Sequence, residues 1–177
     1  MMCSSKSRQC SYNNDSLLWA LATAALIIAI VAILIASIGS GSTTLEGIEA
    51  ELTGAGGEEV PNGENIVFNT VVNDASNNIS YNAVTGVFTI TAPGNYLVNW
   101  WVATSGVESA DRVSLTLRVN GVPFTTVSSP ATFGQTSGSA LITVNVASAT
   151  VTLINSSGGD IIFPSTVPVQ AGIVITK

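Results

Sequence analysis

The chain has 177 residues, a net charge of -6 and charged side chains at only 9% of positions, far below the roughly 25% of an average soluble domain. It holds no histidine, which removes the commonest general base and metal ligand. Its acidic balance leaves no basic surface for nucleic acid, and a composition rich in Thr, Ser, Asn, Val and Gly points to a β-rich extracellular or surface protein rather than a cytosolic enzyme.

Residues 1–16 are polar and carry Lys6, Arg8 and both cysteines, Cys3 and Cys10. The pair is a candidate for cross-linking subunits in an oxidising setting or for acylation beside a membrane. These readings need opposite surroundings and both stay open. Residues 17–38 form an uncharged run with twelve Leu, Ile or Val residues. As a helix it spans about 33 Å, against about 30 Å of bilayer hydrocarbon. At about -0.3 to -0.6 kcal/mol per aliphatic residue, insertion gains about 4 to 7 kcal/mol. The run exceeds the usual core of a signal peptide, so its length favours an uncleaved helix. Lys6 and Arg8 before it, with only acids following closely, orient the remainder outward if it spans. Ala22, Ala25, Ala29, Ala32, Ala36 and Gly39 recur at spacings of 3 and 4. Such a small-residue seam lets helix backbones approach and predicts self-association, in lipid or against protein.

Residues 39–64 hold six of the eleven carboxylates among many glycines and read as an acidic connector. From residue 65 to 177 the pattern changes to short alternating runs. In "DRVSLTLRVN", Val113, Leu115, Leu117 and Val119 share one face, and Asn120-Gly121 follows as a hairpin signal. "VFTI" points Phe88 and Ile90 one way, and "YLVNWWVA" points Tyr96, Val98, Trp100 and Val102 one way. Its other face carries Leu97, Asn99, Trp101 and Ala103, which is too apolar for a solvated face and predicts a partner there. "SALITVNV", "ATVTLIN", "DIIF" and "VQAGIVIT" supply further strands. The sum, about eight to ten strands, predicts an all-β sandwich or jelly roll behind one N-terminal apolar α-helix.

The segment "YNAVTGVFTITAPGNYLVNWW" resembles the signature of the complement component 1q and tumour-necrosis-factor superfamily. Tyr81, Phe88, Gly94, Tyr96 and Trp100 meet its aromatic and glycine positions, and Val98 stands where the family usually has Phe. More narrowly, residues 65–177 look like the C-terminal domains of BclA-like spore-surface proteins. The resemblance implies a jelly roll of ten antiparallel strands, a tight parallel homotrimer, and a structural or adhesive role at a spore (exosporium) or cell surface. Those proteins usually carry a collagen-like stalk; here the apolar helix and a short connector stand in its place. The expectation is therefore a non-enzymatic homotrimeric head on a self-associating helix, building or decorating a surface layer or filament. The alternative is a membrane-anchored adhesin or lectin-like module that reads a glycan or receptor through loops such as "SGVESADR" and "SSPATFGQTSG".

Catalytic chemistry has little to draw on. No Ser has a His to activate it, and the only lysines are Lys6 and Lys177. No cofactor is expected. Glu108 and Asp111 share one loop, and calcium there has little support, since no ligand-loop spacing accompanies them. Asn14, Asn78 and Asn155 each open an Asn-x-Ser sequon, a weak pattern in so Asn- and Ser-rich a chain.

Overall fold

Alternation of buried and exposed residues organises the long strands, as a pleated chain requires when one face meets a core. The computed structural model describes residues 45–130, 132–145 and 148–177. The apolar run at 17–38, its seam at Ala22, Ala25, Ala29, Ala32, Ala36 and Gly39, and Cys3 and Cys10 lie outside the described residues. Among the described residues no helix is long and apolar enough to cross a membrane.

In chain order the strands are β1 (Gly47–Thr53), β2 (Glu59–Val60), β3 (Thr70–Asp74), β4 (Ile79–Asn82), β5 (Val87–Ile90), β6 (Gly94–Thr104), β7 (Gly106–Val107), β8 (Val113–Val119), β9 (Val122–Ser129), β10 (Gly134–Val144), β11 (Ala149–Asn155), β12 (Ile161–Ile162) and β13 (Val169–Thr176). Sheet I has the order β10-β6-β13-β1-β3, sheet II the order β4-β5-β11-β8-β9, and a small third sheet the order β2-β12-β7. All the strand pairings are antiparallel. Within the two large sheets only β4–β5 and β8–β9 join consecutive strands, and β1 returns to its neighbour β3 by way of β2 in the small sheet; the other connections cross between the two large layers, which is the jelly-roll pattern.

The inward faces make one core. Sheet I contributes Ile48, Ala50, Tyr96, Val98, Trp100, Val102, Ile142, Ile173 and Ile175, and sheet II faces them with Phe88, Ile90, Leu115, Leu117, Val151 and Leu153. The strands expected at "VFTI", "YLVNWWVA", "SALITVNV", "ATVTLIN" and "VQAGIVIT" form where alternation placed them, and Asn120-Gly121 makes the β8–β9 turn with φ of 53° and 76°.

One boundary needs correction. The segment read as a connector over 39–64 contains β1, which lies between β13 and β3 in sheet I. Ile48, Ala50 and Leu52 are buried from it while Glu49 and Glu51 face out. The acids that made the segment look like a linker occupy the outward half of a strand whose inward half is apolar. The compact unit accordingly begins at Leu45, not at residue 65.

Candidate functional site

The predicted residues separate onto two sides of sheet I and sheet II. Tyr81 and Phe88 stack with ring centroids 4.3 Å apart, and Phe68 meets both at about 6 Å. The Tyr81 hydroxyl accepts from Phe68 N–H at 2.6 Å and donates to Phe68 C=O at 2.9 Å. Burial pushes this phenol up from its ordinary value of 10.0, with the Phe68 bond pulling the other way. Tyr96 is fully buried, donates to Ala92 C=O at 2.8 Å, and is pushed up by burial and by the Glu46 charge. Trp100 packs beneath Gly138, where a Cβ would lie 2.4 Å from its ring. Phe88, Tyr96 and Trp100 are therefore buried in the core, and Tyr81 is half-buried against it.

Leu97 and Trp101 face the other way. The ladders set three rows across the outer face of sheet I. Leu141, Leu97 and Thr176 form one row; Ser139, Asn99, Val174 and Glu49 the next; Ser137, Trp101, Gly172 and Glu51 the third. Leu97 and Leu141 are directly opposed and are 43% and 66% exposed. Two opposed aliphatic side chains open to water form an uncovered apolar tile. Trp101 is half-buried because its indole lies over Gly172, where a Cβ would sit 2.6 Å from Nε1. The same face holds a groove of about 500 Å³ whose lining includes Trp101, Glu49, Glu51, Asn99 and Gln135. Leu141 was not singled out from the sequence, although the alternation of "SALITVNV" placed it opposite the buried Ile142.

Other candidates disperse. Glu108 and Asp111 sit in an exposed turn, where Asp111 pairs with Arg112 at 3.2 Å. Among the described residues no three His, Cys, Asp or Glu side chains converge as metal ligands. Asn155 is fully buried. It donates to Val60 C=O and Gly159 C=O and accepts from Ser157 N–H, so its sequon is out of reach in the folded domain.

No family model and no curated protein sequence matches the chain. Solved structures do resemble it. The globular domain of zebrafish complement 1qA protein is 18% identical over 74% of this chain and 93% of its own, with a TM-score of 0.50. The Eiger TNF of S. frugiperda is 14% identical over 75% of this chain and 92% of its own, with a TM-score of 0.56. The PRD1 vertex protein P5 is 18% identical over 78% of this chain and 99% of its own, with a TM-score of 0.50. The strand order, the two five-stranded layers and these likenesses agree: residues 45–177 have the complement 1q and TNF-like jelly-roll fold.

Proposed function

We propose that this protein is a non-enzymatic structural protein whose jelly-roll head self-associates as a homotrimer through the outer face of sheet I. The observation that carries this reading is the opposed, exposed pair Leu97 and Leu141 beside half-buried Trp101. A contiguous apolar face ringed by polar groups is the common form of an association surface. A cyclic trimer is heterologous, so each face meets a different surface of the next copy. The β9–β10 edge is the apolar counter-surface, with Phe124 51% and Phe133 72% exposed.

The resemblance to BclA-like proteins supports a place at a spore or cell-envelope surface. There the apolar run at 17–38, with its Ala/Gly seam, joins trimers to one another or to a membrane, and Cys3 and Cys10 are the candidates for cross-links. The head alone, residues 45–177, should run as a trimer in multi-angle light scattering, and Trp101→Asp should give monomers. An unchanged trimer in that variant overturns the interface. Negative-stain microscopy of the full chain without detergent addresses the helix: filaments or rosettes favour assembly, and solubility only in detergent favours a membrane span.

The second reading, a lectin-like module, draws on the Trp101 groove, because an indole flanked by amides and carboxylates suits a sugar ring. Glycan binding by a head that stays monomeric would favour it over the trimer.

A further inference from the structure

The groove beside Trp101 carries two carboxylates and no cation. Glu49 and Glu51 leave the same face of β1 and line it together with Asn99 and Gln135. Both glutamates are half-buried, and neither is held by an ion pair or a hydrogen bond among the described residues. The chain has five bases, and the described ones, Arg112, Arg118 and Lys177, do not line the groove. Two residues apart on one strand, the glutamates leave the backbone about 7 Å from each other. Covering them with a neutral surface would strand two charges away from water, which is costly unless positive charge arrives with the cover.

Trp101 supplies the other half of the site. Trp101, Gly172 and Glu51 stand in one row on the neighbouring strands β6, β13 and β1, so the Trp101 and Glu51 backbones are about 10 Å apart. Gly172 between them has no side chain, and the indole edge bearing Nε1 lies over it, toward β1. A Cβ at Gly172 would sit 2.6 Å from Nε1 and 3.1 Å from Cε2. The ring thus spans much of the distance to Glu51 and stays half-open to a groove of about 500 Å³. An aromatic face attracts cations through its quadrupole, and carboxylates attract them through charge. This row lies four residues along β6 from Leu97, about 13 Å, so the groove is separate from the Leu97–Leu141 tile.

We infer that the groove takes a guanidinium-bearing ligand, whose planar cation lies against the Trp101 indole while its N–H groups donate to Glu51 and Glu49. A guanidinium does both at once because it is flat, forked and weakly hydrated, whereas an ammonium is a strongly hydrated point charge. This rests on the second reading above, a ligand in the Trp101 groove, and puts a cation in place of a neutral sugar. Saturation-transfer NMR on the full-length protein tests it with N-acetylarginine amide and with N-acetylcitrulline amide, which has the same shape and no charge. The arginine probe should receive at least threefold more transfer. Glu51→Gln, a near-isosteric change on the open face, should lower the arginine signal at least threefold, as should Trp101→Leu. Glu49→Gln and Glu51→Gln together should bring it to the citrulline level, and so should raising the salt from about 20 mM to about 500 mM. N-propylguanidinium separates the sources: transfer equal to that of the arginine probe marks a small-molecule site, and weaker transfer marks an arginine on a partner protein. Equal transfer to the two amides, or arginine transfer unchanged in Glu51→Gln, overturns the cation site and leaves the groove reading standing. No transfer to either amide or to glucose overturns both.

Discussion

Tyr81 illustrates how much one side chain can hold. Its hydroxyl meets both the N–H and the C=O of Phe68, standing in for a strand neighbour where the chain leaves β2 for β3. Tyr81→Phe should cost about 1–3 kcal/mol in urea unfolding, because the Phe68 N–H loses its acceptor. The pH dependence follows from the same group. Tyr81 and Tyr96 are both pushed above the ordinary 10.0, so above that pH the unfolded chain gives up its phenolic protons more readily than the folded one. The stability they contribute is fully present below about pH 10 and falls as pH rises through the folded values. Denaturation midpoints taken at pH 8 and pH 11 should show the loss, and Tyr81→Phe should flatten part of it. Asn155 is the polar counterpart. Its amide ties Val60, Gly159 and Ser157 together, and Asn155→Ala should cost about 2–4 kcal/mol by stranding buried backbone groups. The aromatic signature from Tyr81 to Trp100 was legible in sequence; the partnership of Tyr81 with Phe68 was not, because it depends on where two separate segments meet.

At the scale of the element, β1 and β6 show opposite lessons. In β6 the alternation was readable and its apolar outer face stood out at once. In β1 the same alternation, Ile48-Glu49-Ala50-Glu51-Leu52, lay under a glycine-rich acidic composition that suggests a linker. Its strand character comes from pairing on both sides, with β13 over seven residues and with β3. Close approach between elements also fixes two glycines. At Gly138 an added methyl would lie 2.4 Å from Trp100 and 2.7 Å from Val127 inside the core, so Gly138→Ala should destabilise by about 1–3 kcal/mol through overpacking. At Gly172 the clash is with Trp101 on the open face. There Gly172→Ala should tilt the indole into solvent and red-shift its fluorescence with a smaller loss of stability.

For the whole molecule, the place of β1 sets where the domain starts. Gly47 pairs with Thr176, so the first and last strands close sheet I together. A fragment beginning at residue 65 would leave the β13 edge bare and the core without Ile48, Ala50 and Leu52. Residues 45–177 should unfold cooperatively on heating, whereas residues 65–177 should be insoluble or lack a cooperative transition in circular dichroism; a cooperative transition in the shorter fragment would contradict this account.

Sequence by itself determined the all-β class, most strand positions, the aromatic core motif and the two-sided strand around Trp101. These are properties of period and composition along one segment, and pleating converts them directly into faces. Only the tertiary structure decided that an acidic linker is a central strand, that Leu141 stands against Leu97, and that Trp101 rests on Gly172 with Glu51 beyond it. Each of these depends on strands far apart in the chain being brought side by side, and register between such strands is set by the packing of the whole core.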